Sequence, residues 1–104
     1  MRKARIFVNG APAGILIEEE MNKHYIVRYD PDYQGGPISL TMPVRQADYV
    51  FDRFPPFFDG VLPEGLQLEA LLKLAKIDRH DCFSQLVTVG KDLVGYVTVE
   101  KIHD

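Results

Sequence analysis

Tryptophan is absent, cysteine occurs once, and no stretch is continuously apolar for long. Each shortage closes off a class of protein. A lone Cys82 cannot form an intramolecular disulfide, so nothing points to an exported, disulfide-stapled fold. The opening Met1-Arg2-Lys3-Ala4-Arg5-Ile6 lacks the apolar run of about 7–15 residues that a signal peptide needs. No segment approaches the ~18 apolar residues of a membrane span, so a cytoplasmic protein with no membrane partner is expected. Positive charge is also short. Twelve Lys and Arg stand against 15 Asp and Glu, a net charge of −3. Arg2, Lys3 and Arg5 form the only basic run and read as a solvated end, which argues against direct contact with nucleic acid.

Chemistry-bearing constellations are missing too. His24, His80 and His103 stand at no metal-ligand spacing with one another or with Cys82. Cys82 sits between Asp81 and Phe83, and an acidic neighbour raises a thiol pKa, which disfavours a nucleophile. Gly35-Gly36 runs into Pro37, which removes an amide donor where a phosphate would want one. Asp59-Gly60 and Arg79-His80-Asp81 echo kinase fragments in the wrong order and without their flanks. Glu18-Glu19-Glu20 reads as a solvated strand end. No catalytic, metal or cofactor-binding residue is assigned, no cofactor is expected, and the chain reads as a non-enzyme.

What is present is ordinary core material. The 104 residues are 46% hydrophobic and 26% charged, enough for one modest core in a single domain spanning residues 1–104. Ala4 to Val8, Gly14 to Glu18 and His24 to Tyr29 read as three strands of a meander, with Asn9-Gly10 as a turn that tolerates positive φ. Tyr25, Val27 and Tyr29 share one face of the third strand. Ile38 to Met42, bracketed by Pro37 and Pro43, reads as an edge strand. Pro55 or Pro56 opens a short helical turn ended by Asp59-Gly60, and Pro63 opens a helix from Glu64 to about Lys76. A further helix runs from Asp81 to Thr88 with Gly90 as its stop, and Gly95 to Ile102 is a last strand pairing with an early one. The expected fold is α+β: a small antiparallel sheet, meander plus C-terminal strand, packed against two or three short helices.

The stretch from Phe54 to Leu74 is the unusual part. At helical spacing Leu71, Leu72 and Ala75 fall within about 60° of Leu68, which predicts a coherent buried stripe. Leu66 lies roughly 160° away, so it would project an apolar side chain from the first helical turn toward solvent or a partner.

Three blocks in this order are similar to a known pattern: Ile38-Ser39-Leu40-Thr41-Met42-Pro43, Phe57-Phe58-Asp59-Gly60-Val61-Leu62-Pro63-Glu64-Gly65, and Val89-Gly90-Lys91-Asp92-Leu93-Val94-Gly95. They resemble the N-terminal subdomain of HipA-type serine/threonine kinases, over about Ile6 to Val99. The resemblance stops where HipA continues into its kinase core, and so implies a HipS-like antitoxin of the tripartite HipBST toxin–antitoxin systems. Such a protein would bind and neutralise a HipT-like kinase toxin, in a complex with a HipB-like helix-turn-helix protein through which DNA is contacted only indirectly. Two alternatives stay open: a non-inhibitory structural subunit bridging the kinase to HipB, or an excised subdomain of a full-length HipA. Two positions depart from the family pattern. Leu66-Gln67-Leu68 stands where members carry an Arg, and Tyr96 follows Gly95 in place of a small residue. Both departures favour apolar docking, and the expected partner-binding residues are Val61, Leu62, Pro63, Glu64, Gly65, Leu66 and Gln67.

Overall fold

The computed structural model describes residues 1–93 and 95–103; Val94, within the third block above, and Asp104 lie outside the described residues. Three strands, β1 (Arg2–Val8), β2 (Ala11–Glu20) and β3 (Lys23–Tyr29), form the expected meander. The first turn of the meander is Asn9-Gly10, both at positive φ (51° and 81°), the backbone a two-residue hairpin between right-twisted strands requires. A short β4 (Tyr49–Phe51) pairs with β3, and β5 (Val97–Ile102) pairs with β1, giving an antiparallel sheet of order β4-β3-β2-β1-β5.

Register puts the apolar residues of alternate positions on one face. Ala4 lies opposite Leu16 and Leu16 opposite Val27, while Ile6 faces Val99 and Val8 faces Val97. All of these are buried. Of the helices α1 (Pro56–Asp59), α2 (Gly65–Ala75) and α3 (Cys82–Val89), the last followed by a 3-10 turn over Gly90–Asp92, α1 and α3 close this face. Phe58 from α1 and Phe83 and Leu86 from α3 enter the same core. Burying an aromatic of this size contributes about 2–3 kcal/mol. Asp81 caps α3, its carboxylate accepting the Ser84 amide at 3.2 Å. Gly90 then lets the chain press onto β5, since a Cβ there would stand 2.0 Å from the Val99 carbonyl oxygen.

The architecture matches the α+β expectation, and four local readings change. Ile38 to Met42 is a turn and not an edge strand, closed by a single Ser39–Met42 bridge. The Tyr29 hydroxyl accepts the Ile38 amide at 2.8 Å and donates to the Met42 carbonyl, so a side chain satisfies backbone groups that a ladder would otherwise have taken. The fourth strand falls instead at Tyr49–Phe51. Glu18 is no solvated strand end: it is 1% exposed, in phase with Leu16 on the core face and directly opposite both Arg2 and Tyr25. Arg2 and Arg5 are not a loose basic end either, since Arg2 bridges Glu18 (2.6 Å) and Asp81 (2.9 Å) and Arg5 pairs with Asp30. Finally, the stripe of α2 is shallow. Leu68, Leu71 and Leu72 are half-buried, Ala75 is exposed, and no residue of α2 is fully buried. The helix has the right periodicity but leans on α3 at the rim and does not lie on the sheet.

Candidate partner-docking site

The segment from Val61 to Gln67 divides at Glu64. Val61 and Leu62 are half-buried against the core and Pro63 is half-buried, whereas Glu64, Gly65, Leu66 and Gln67 are exposed. The change of direction has a local cause. Glu64 is extended (φ −129°, ψ 164°) and Gly65 opens α2 at φ +58°, a backbone state that costs glycine nothing and strains any residue with a Cβ. This break turns the first helical turn away from the core and leaves Leu66 88% exposed. At the other end, Lys76 takes the left-handed conformation (φ 56°), and the Lys76 and Ile77 amides both donate to the Leu72 carbonyl. Leu74 is 83% exposed near that end, giving α2 a second unburied leucine.

Below the first turn of α2 runs a groove of about 720 Å3 lined by Val61, Leu62, Pro63, Glu64, Gln67 and, from the far wall, Val89, Asp92 and Leu93. Five of the seven residues expected from the sequence therefore share one concave surface. Gly65 and Leu66 lie outside it, at its lip. The contribution of Val89, Asp92 and Leu93 was not legible from the segment itself. Its only sequence signal is that the third block of similarity, Val89 to Gly95, recurs downstream without a role of its own.

Among the described residues, no group of three or more His, Cys, Asp or Glu could hold a metal ion, and no helix is long and apolar enough to cross a membrane. Cys82 is half-buried; burial pushes its thiol pKa up, and Asp59, Asp81 and Glu18 add to the rise, as its acidic flank led us to expect. The strongest polar cluster is structural. Glu18 accepts from Arg2, from the Tyr25 hydroxyl at 2.9 Å and from the Asn22 amide at 3.2 Å. Burial, then the hydrogen bond to Glu18, drives the Tyr25 hydroxyl well above its ordinary pKa. Burial alone would raise the Asp81 carboxyl, but hydrogen bonds from Arg2 and Ser84 outweigh it and hold the group below the usual range. These hydrogen bonds tie β1, β2, β3 and α3 together.

Comparison with known proteins identifies the family. The model of the HipA N-terminal domain matches residues 4–100. The chain belongs to that family. It is 32% identical over 101 residues to an uncharacterized protein of Haemophilus influenzae, covering 97% of this chain and 93% of that one. A solved structure described as the N-terminal domain of HipA toxin superposes with a TM-score of 0.79 at 30% identity, over 100% of this chain and 95% of the other. The match is to the N-terminal domain, which is not the kinase catalytic domain of HipA. In this HipA N-terminal-domain protein, Glu64 and Gly65 break the chain at the start of α2 and Gly90 allows the close approach to β5.

Proposed function

We propose that this HipA N-terminal-domain protein is an antitoxin: one domain that binds a HipT-type kinase toxin through Val61–Gln67 and suppresses its activity. One observation carries the reading. A leucine, Leu66, stands almost wholly in solvent on a helical turn whose direction is set by a glycine at positive φ, beside a concave apolar surface. An isolated exposed leucine needs no explanation. A leucine held out by a backbone break next to a groove is the arrangement of an interface anchor with its water-excluding surround. Inhibition would follow from covering the nucleotide cleft or from holding the kinase lobes apart. A Leu66→Asp variant should fold normally and bind the kinase about five- to hundredfold more weakly, the effect of losing roughly 1–3 kcal/mol at an anchor. Wild-type binding and silencing by that variant would refute the placement.

A second reading, a structural subunit that bridges the kinase to a HipB-type repressor without inhibiting, is favoured by the other face of the sheet. There Ile15 and Ile26 are half-buried and Val50 is 66% exposed. Expressing kinase and this chain together without HipB separates the two: relief of growth arrest supports the antitoxin, continued arrest the bridge.

A further inference from the structure

Leu40 is the most exposed large apolar residue of the described chain, at 93%, and its turn is built to keep it so. Its flanks, Ile38 and Met42, are buried (0% and 2%) and tied to the Tyr29 hydroxyl through the Ile38 amide and the Met42 carbonyl. The turn is locked again by Met42 N–H donating to the Ser39 carbonyl (3.0 Å), the Thr41 amide donating to Ser39 Oγ (3.1 Å), and the Ser39–Thr41 hydroxyl pair at 2.8 Å. Nothing in this packing uses the Leu40 side chain.

The turn also borders a chain of concavities. Thr41 and Met42 line an apolar hollow of about 240 Å3 whose opposite wall is Phe57. Phe57, with Val61, Leu93 and Tyr96, lines a second hollow of about 120 Å3. Val61 and Leu93 then line the groove below α2. The three share walls, so one apolar band runs from the Leu40 turn to the start of α2. Its only charged lining residues, among the described residues, are Glu64 and Asp92, both carboxylates and both at the α2 end. A two-fold contact of band on band with a second copy would set no lining cation opposite them.

We infer that this whole band is the docking surface, with Leu40 as a second anchor at the end remote from Leu66. Its occupant is a folded protein surface carrying an apolar ridge with Lys or Arg at the end that meets Glu64 and Asp92. The inference rests on the kinase-binding reading above and extends it to a two-anchor, charge-oriented contact.

The test is binding of purified wild type and variants to a HipT-type kinase encoded beside this chain, by calorimetry at 50 and 500 mM NaCl. Leu40→Asp should weaken binding at least tenfold while melting like wild type, because the side chain is in solvent. Glu64→Gln with Asp92→Asn should weaken binding severalfold at low salt and leave it unchanged at high salt, where exposed charge pairs are screened. If Leu40→Asp binds as wild type while Leu66→Asp does not, the band is overturned and the kinase-binding reading stands. If wild type does not bind the kinase, both fall. Self-association of the free chain that Leu40→Asp abolishes would assign the band to a second copy and overturn the charge argument.

Discussion

Arg2→Met should be among the most damaging single changes outside the apolar core. Arg2 Nε donates to Glu18 at 2.6 Å, its terminal nitrogens reach Asp81 at 2.9 Å and the Ser84 hydroxyl at 3.0 Å, and its guanidinium lies 4.8 Å from the centre of the Phe83 ring. Methionine keeps much of the packing and removes the charge. Glu18, 1% exposed, is then left with the Tyr25 hydroxyl and the Asn22 amide and no counter-charge. Breaking a buried pair from one side costs about 3–5 kcal/mol. Two of three hydrogen bonds survive and Arg2 itself is 21% exposed, so the cost falls below that range, to about 2–3 kcal/mol. For a domain near 100 residues this lowers Tm by about 10–20 °C. Thermal and urea melts followed by circular dichroism measure it. The decisive comparison is Arg2→Met with Glu18→Gln. Glutamine still accepts from Tyr25 and Asn22 but carries no charge, so the pair should recover at least ~1 kcal/mol relative to the sum of the single variants. A loss below ~0.5 kcal/mol for Arg2→Met, or strict additivity of the pair, would refute the claim that Arg2 compensates a buried carboxylate.

Other expectations follow from the same geometry. Gly90→Ala should cost about 2 kcal/mol or more in a urea titration, because its Cβ would meet the Val99 carbonyl. Gly60→Ala should stay within ~0.5 kcal/mol, since Gly60 has φ −68° and a Cβ there meets only the Pro56 and Phe57 carbonyl oxygens at 3.4–3.5 Å. Asp81 has a lowered folded pKa, so its stabilisation is present above its unfolded value of about 4 and disappears as pH falls through the folded one. Tyr25 titrates the other way: its raised pKa stabilises the fold below about pH 10 and is lost as pH climbs beyond. Stability measured against pH should therefore fall at both limits, and Asp81→Asn should flatten the acid limb. Cys82, half-buried with a raised pKa, should react with iodoacetamide at pH 7.5 roughly tenfold more slowly than free cysteine. A rate equal to free cysteine would show the thiol to be open and unshifted.

The meander, the closing strand, the three helices and the exposure of Leu66 were legible because each rests on short-range chemistry. Alternation in Tyr25, Val27 and Tyr29, the Asn9-Gly10 turn and prolines at helix starts act within a few residues. The misread pieces share one cause, a partner distant in sequence. Glu18 looked solvated among three glutamates, yet it keeps step with Leu16, and the charge opposite it is Arg2, 16 residues earlier. Ile38 to Met42 has a strand's composition, but the hydroxyl of Tyr29 takes its backbone groups first. The α2 stripe had the correct phase; its depth depended on how far the helix stands from the sheet.

The docking surface divides along the same line. Local sequence was enough to put Leu66 in solvent, because residue periodicity is a property of neighbours in the chain; it ran the helix from Glu64, whereas Glu64 is extended and Gly65, at positive φ, makes the break. Only folding brought Val89, Asp92 and Leu93 across from Val61, and Phe57 between the Leu40 turn and Tyr96. A concave surface is a relation between walls, and its walls here come from segments about 15 (Met42 and Phe57) to about 40 residues (Phe57 and Tyr96) apart in the chain. Their juxtaposition is set by packing on a common core, a quantity that no window of sequence contains.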